Sequence, residues 1–488
     1  MIGDTLKASG RRSIEIKQRV YFPRHSGVKA FQLENYHIET WFFFPSSLQI
    51  NRWNYPPQAL QQNLKNYLRL RPQTVMLRKF AINCPKLLAE IMRLITLHDS
   101  DTPLQSGYEY QLKKFCLTFK RAMHLEARYL KKLSGEKQDR VLMHFTTTSA
   151  DILRDFRQMR EKMVLKAEPN ALRVVDYCDE YLSVTFSQYG REILNSFPDS
   201  PAREELRAFW REQMQYRKAN HPATFPTPNA DNELVIYRLN TLKKYINSPM
   251  YLDIRRKNGE TLLAHTIAGL AAALAMIFAT AVAFVWQGKY GALSFQLFVA
   301  MVIGYIFKDR MKESFKLRLF SRFRRWLPDR RQFIFKNLRQ LVGVCDESFV
   351  FTEESKLPED VRAMRRKVHV LDIQNYYLSE DILHYSKHVQ LRNAGNLFAG
   401  FNRSVMDITR LDITPFLKHT DELLDQLTSL EEEHVIYGDK VYHINMIRRV
   451  TDGKESILER ARIVINSEGI KRIEPVFMVE DDGDRDGE

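Results

Sequence analysis

A chain of 488 residues with 44% hydrophobic and 27% charged side chains has the make-up of a folded protein of two to four domains, and excludes a disordered one. Its formal net charge of +15 calls for an anionic partner, either acidic lipid or nucleic acid. Four scattered cysteines without a CxxC pair argue against a disulfide scaffold or a structural zinc site, and suit a reducing compartment.

The amino-terminal stretch MIGDTLKASGRRSIEIKQ has no apolar run of the signal-peptide kind, so membrane insertion is expected to be directed from within the chain. Residues 1–56 read as a short β unit. Ile14, Ile16, Val20 and Phe22 alternate with polar residues, as do Tyr36, Ile38, Thr40, Phe42 and Phe44, and the turn-forming HSGVKA between them suggests one antiparallel pair. Residues 57–255 read as a helical region, with helices expected over Pro57–Leu70, Pro85–Leu97, Tyr108–Leu133, Ser149–Leu165, Ala171–Phe197, Pro201–Arg217 and Asn232–Ile246.

From Thr261 to Phe307 the only formal charge is Lys289. Leu262–Trp286 is long enough to cross a hydrocarbon core of about 30 Å, and Gly291–Phe307 is at the short end of the range. Residues 261–307 are therefore expected to form a transmembrane helical hairpin with two spans. Basic flanks at Arg255, Arg256 and Lys257, and again at Lys308, Arg310 and Lys312, predict that both termini are cytoplasmic, in a bacterial inner membrane. Small residues recur at four-residue spacing: Ala264, Ala268 and Ala272; Ala271, Ala275, Ala279 and Ala283; and Ala300 with Gly304. Such stripes let helices approach closely in lipid, either within one hairpin or between copies in a homo-oligomer. His265 lies about one turn inside the first span, with no ionisable companion for a proton relay.

Residues 308–328 read as a basic amphipathic helix. Met311, Phe315, Leu319, Phe323 and Leu327 form an apolar stripe among Lys308, Arg310, Lys312, Lys316, Arg318, Arg322, Arg324 and Arg325, with Trp326 as an aromatic anchor. Leaving a membrane span, such a helix is expected to lie on anionic phospholipid, and the aromatic stripe makes nucleic acid the weaker candidate. Residues 329–478 read as a second α+β domain. Strands are expected at QLVGVCDESFVF and SVMDITRLDI, then a helix after Thr414–Pro415 carrying Phe416 to Leu430, then hairpins in HVIYGDKVYHINMI and ARIVINSEGIKRIEPV. The acidic end, residues 479–488, reads as a disordered tail.

The expected fold class is thus an α+β membrane protein, with a transmembrane hairpin between an amino-terminal short β unit plus helical bundle and a carboxy-terminal antiparallel-sheet domain. Among candidate chemistries, His384 and His388 would share one face of a helix with Asp381 a turn earlier, a set able to bind a divalent transition metal. The zincin mechanism does not carry over, because Tyr385 stands where its Glu must be. There is no GxSxG elbow, no GxxxxGK[ST] loop and no GxGxxG after a strand, so no enzyme activity and no cofactor is assigned. The leading reading is a scaffold or sensor that holds cytosolic domains at the bilayer for a protein partner. A pore assembled from the hairpins and a membrane-bound metalloenzyme are the alternatives.

Overall fold

In the computed structural model the described residues are 3–22, 34–96, 106–164, 168–256, 260–291, 295–324, 328–336, 340–366, 380–392, 397–398, 400–428, 435–452 and 455–476. The architecture is α+β, built on one nearly closed, barrel-like antiparallel sheet of 12 strands. Five strands come from the first half of the chain: β1 (Gly3–Ala8), β2 (Ser13–Tyr21), β3 (Glu34–Pro45), β4 (Leu64–Pro72) and β5 (Tyr251–Arg256). The second half adds β6 (Arg330–Lys336), β7 (Gln340–Thr352), β8 (Glu380–Leu391), β9 (Phe401–Asp412), β12 (Tyr442–Asp452), β13 (Glu455–Asn466) and β14 (Gly469–Val476). Their order is β1-β2-β9-β4-β5-β6-β7-β8-β3-β12-β13-β14. A separate ribbon pairs β10 (Leu424–Leu427) with β11 (Ile436–Asp439).

This corrects the expected fold class. The flanks are not two independent domains, because β9 inserts between β2 and β4, and β3 lies between β8 and β12. For the same reason β2 and β3 do not pair with each other. Period-two patterns identify a strand but say nothing of its partner, which is chosen by burial across the whole sheet. The sheet edges come together where Ile470 N–H donates to Arg11 O at 2.6 Å and Arg11 pairs with Glu468 at 2.7 Å. Gly469 (φ +135°) permits that approach, since a Cβ there would lie 2.1 Å from Arg11 O.

Inside the barrel the side chains fall into three levels. At one end Ile14, Ile16, Phe42, Phe44, Leu64, Leu383, Leu411 and Met446 form an apolar core. At the other, Val20, Phe22, Tyr36, Ile38, Leu68, Leu70, Val389 and Val405 join a core shared with the helices. Between them each of several strands contributes a polar residue at the same level: Gln18, Thr40, Asn66, Glu347, Lys387, Asp407 and Arg448. The polar groups of this waist bond across the interior between strands that are not neighbours. Lys387 Nζ of β8 donates to Asp407 Oδ1 of β9 at 2.6 Å, and Tyr36 OH of β3 donates to Asp407 Oδ2 at 2.8 Å. Glu347 of β7 accepts from Asn66 of β4 across the interior, and also from Arg330 and Tyr385 on the adjacent strands β6 and β8. Burial alone would lower the Lys387 pKa, but Asp407 and its other anionic neighbours outweigh it and hold the ammonium above its ordinary value.

The open end beside Leu68 and Val405 is covered by a bundle of α2 (Leu77–Thr96), α3 (Ser106–Leu130), α4 (Glu136–Val164), α5 (Pro169–Ser196), α6 (Pro201–Asn220) and α7 (Glu233–Asn247). These helices follow their apolar periodicity; α6, for instance, starts where Ser200 Oγ caps the Arg203 N–H ahead of Pro201. Two expected helices are corrected. Only Pro57–Asn63 is helical (α1); LKNYLRLRP, in which Leu68 to Arg71 alternates apolar with charged residues, becomes β4. From Thr414 to His419 the chain makes a short 3-10 helix and then enters the β10 ribbon. The expected hairpin around Gly438–Asp439 is also replaced: β11 pairs with β10, while β12 pairs with β3 and β13. The ARIVINSEGIKRIEPV hairpin forms as β13 and β14, and the acidic tail lies outside the described residues.

The remaining helices leave and rejoin the sheet between neighbouring strands. The chain exits after β5, forms α8 (Glu260–Tyr290) and α9 (Phe295–Arg324), and returns as β6, paired with β5 through Asp253–Phe335 to Arg256–Gln332. α10 (Glu359–Arg366) packs Val361 and Met364 onto Trp41 and Phe43 of the outer sheet face. Among the described residues one helical segment, His265–Lys289, is long and apolar enough to cross a membrane. The two-span reading is therefore corrected: the apolar part of α9, Phe295–Phe307, covers only about 20 Å at 1.5 Å per residue, short of a core of about 30 Å. The helix then runs unbroken into its charged part, so the boundary at Lys308 divides one helix and not two elements.

Removing one partner of the interior ion pair leaves a buried charge alone, so Lys387→Met is expected to destabilise the fold by about 3–5 kcal/mol. The Lys387→Met/Asp407→Leu pair should regain most of that loss. Urea-denaturation midpoints of the full chain in detergent check this, and equal loss in the single and double variants would contradict it.

Candidate functional site

A cavity of about 550 Å³ opens where the outer faces of β2, β9 and β4 meet α3, α5 and α7. The strands build one wall by simple alternation. With Asp407 turned into the barrel, Met406 and Ile408 of β9 point outward, and so do Lys17 of β2 and Arg69 and Arg71 of β4. Lys17 lies directly across from Ile408, and Arg69 across from Met406, so an apolar strip is flanked by cations. On α3, Leu117, Lys120, Arg121 and His124 are spaced three, four and seven apart and so share a single face. Tyr189 of α5, Lys243 and Asn247 of α7, and Met250 and Tyr251 at the start of β5 complete the lining.

The charge balance is strongly one-sided. Lys17, Arg69, Arg71, Lys120, Arg121 and Lys243 surround the cavity, against the single carboxylate of Glu15. That carboxylate is already engaged by Lys17 at 2.6 Å and by Arg410 at 2.5 Å. Among the described residues, no carboxylate forms an ion pair with Arg69, Arg71, Lys120, Arg121 or Lys243. Their pKa values register the crowding. Lys120 is lowered by burial and then by Lys243 and Arg69. Arg121 is lowered by burial and then by Arg71, Arg19 and Arg128. His124 is held below its ordinary value by burial, Arg121 and Arg128. Cations kept together without counter-charges cost stability, and such a cluster in a concave site is suited to receive an anion.

The sequence contained a signal for this site that composition alone obscured. Read as a strand, LRLR of β4 sends both arginines to one face; read as the end of a helix, it scatters them. The α3 face was legible as a helical pattern, but only the tertiary fold brings it against β2, β9 and β4.

The residues expected to bind metal sit elsewhere. They lie on β8, so the helical premise is overturned by strand alternation. His384 and His388 still share the outer face, whereas Asp381, an odd number of positions away, faces the other side. The His384 ring stacks on Trp41 at 4.8 Å with its Nε2 at 3.3 Å from Glu39, and the His388 ring lies 5.8 Å from that of His37. Among the described residues no group of three His, Cys, Asp or Glu side chains is placed to hold a metal ion.

The small-residue positions fall mostly on the contact between α8 and α9. Ala271, Ala275 and Ala300 are buried there, Ala268, Ala272, Ala279 and Ala283 are half-buried, and Gly304 faces Val282. Ala264 lies in α8. Of the expected lipid-facing residues, Arg310, Lys312, Lys316 and Arg318 are exposed along α9, and the Lys308 ammonium sits 3.7 Å over the Tyr305 ring. Arg322 and Arg324 continue that helix, and Arg325 and Trp326 lie outside the described residues.

No protein-family model and no curated protein matches the sequence. Among solved structures, the chain is similar to a de novo designed 16-helix transmembrane nanopore, at 14% identity and a TM-score of 0.23, over 50% of this chain and 72% of that one. A superposition that loose carries no argument about fold or activity.

Because the Lys120 pKa is lowered in the fold, the unfolded chain binds more protons as pH rises through that lowered value toward the ordinary lysine range near 10.4, and folding gains stability across this window. Replacing Lys120 with Met removes the term. The variant is expected to exceed the wild type in thermal stability at neutral pH without added anion, with the difference shrinking as pH approaches about 10. Melting curves of both proteins across that range check the sign.

Proposed function

We propose that this protein is a membrane-held sensor whose barrel and helical cap receive a phosphate-bearing anion in the cationic cavity and present the loaded state to a protein partner. The observation that carries this reading is the ring of six cations around one cavity whose sole carboxylate is already paired. A phosphate group supplies both the missing charge and acceptors for arginine forks and lysine ammonium groups. Nothing in the cavity resembles catalytic machinery, so binding and not turnover is the expected event.

The apolar helix α8, with the apolar part of α9, Phe295–Phe307, packed beside it, would hold the protein to a bilayer. Many of their large apolar side chains face outward, including Leu270, Ile277, Phe284 and Phe298. Arg310, Lys312, Lys316 and Arg318 would then lie near anionic headgroups, each contributing roughly 1 kcal/mol. The pairing of β5 with β6 brings both ends of the α8–α9 excursion together at the barrel, and the basic flanks favour the cytoplasmic side for it.

Two measurements test this reading. Calorimetric titration of the full chain with inorganic tripolyphosphate should give saturable binding that weakens as salt is raised, and that falls at least ~10-fold in Arg69→Ala and in Lys120→Ala, the loss of one charge-assisted contact. No binding at millimolar tripolyphosphate would end the proposal. For the anchor, Ile277→Asp/Phe284→Asp should move the folded protein out of the membrane fraction; full retention in that fraction would count against a role for α8.

A further inference from the structure

We infer that the anion this cavity takes is a soluble nucleotide bearing at least two phosphates, held by its base as well as by its charge. The inference rests on the sensor reading above and narrows its ligand. The cavity is not uniformly cationic. Its floor is the strip formed by Met406 and Ile408, and the rings of Tyr189 and Tyr251 stand on its lining. Tyr251 of β5 lies directly across from Arg69 of β4, and the Arg69 guanidinium sits 5.7 Å from the Tyr251 ring centroid. The Tyr251 ring remains exposed, so an arriving planar group has a face to stack on beside a cation that a phosphate would engage.

A bare phosphate or an inositol phosphate would use the cations and leave this apolar and aromatic surface uncovered. A nucleotide uses both. A base laid on an aromatic side chain adds affinity that the charge alone does not provide. A cavity of about 550 Å³ falls in the range of small-molecule sites, with room beyond what a phosphate group fills.

Position separates the soluble source from a lipid headgroup. The cavity includes Tyr251, the first residue of β5, whereas the chain leaves for α8 only after Arg256, the last. The strand therefore carries the chain away from the cavity by about 17 Å before the apolar helix begins. The cationic ring also makes a bridging magnesium ion unnecessary, since lysine and arginine take the role it has in phosphate loops, a motif this sequence lacks.

The test uses three probes on the full chain in detergent: inorganic tripolyphosphate, ATP and inositol 1,4,5-trisphosphate. ATP is expected to bind at least tenfold more tightly than either of the others, and without added magnesium. Tyr251→Ala should weaken ATP binding far more than tripolyphosphate binding and so abolish the preference, whereas Tyr251→Phe should keep it. Equal affinity for all three probes would overturn the nucleotide inference and leave the anion reading standing. Tighter binding of inositol trisphosphate would point to a lipid headgroup and also overturn it. Failure of all three would remove the anion reading itself.

Discussion

The structure depends on a small set of polar bonds drawn across the inside of the barrel. Lys387 on β8 and Tyr36 on β3 both reach Asp407 on β9, and Asn66 on β4 reaches Glu347 on β7. None of these pairs joins neighbouring strands in the sheet. Backbone ladders specify only who lies beside whom; the interior bonds fix which strand stands opposite which. A buried charge without its partner is strongly destabilising, so a sheet closed in any other register would be penalised at every one of these positions. The polar waist thereby acts against alternative closures, a task that the two apolar layers on either side, interchangeable in chemistry, perform less well.

The same alternation that turns Asp407 inward turns Met406 and Ile408 outward, onto the floor of the cationic cavity. Interior and exterior of β9 are thus set by one register. The helical cap has a double role in consequence. Its apolar faces close the barrel end at Leu68, Leu70 and Val405, and one side of α3 brings Lys120, Arg121 and His124 over the outer strands. The cavity exists because a bundle that closes a barrel must overhang its rim, and here the overhang is basic.

Much of the local structure was legible in the residues. Five of the bundle helices, α3 to α7, follow their apolar spacing, and β2, β7, β9 and the β13–β14 hairpin follow theirs. The errors share a cause. LKNYLRLRP and EDILHYSKHVQL contain apolar residues compatible with either helix or strand over short windows, and only the vacancy beside β9 or β3 decides for the strand. The metal reading failed at that point: a four-residue spacing keeps His384 and His388 together in either conformation, but the three-residue step to Asp381 does so only in a helix. The cationic cavity was missed for a different reason, since its members come from β2, β4, α3 and α7 and have no common window.

What the sequence by itself determined is one-dimensional: an uncharged run long enough to cross a bilayer in α8, an abrupt onset of charge at Lys308, a surplus of cations, and the absence of phosphate-loop and nucleophile-elbow motifs. These are properties of consecutive residues, and solvent or lipid reads them without reference to the rest of the chain. The tertiary structure alone decided that both flanks of the apolar excursion form one barrel, that β5 and β6 pair across it, and that six distant cations converge on a single cavity. Those outcomes follow from long-range strand pairing and from the burial of paired charges. Neither leaves a periodic trace in any single stretch of the chain.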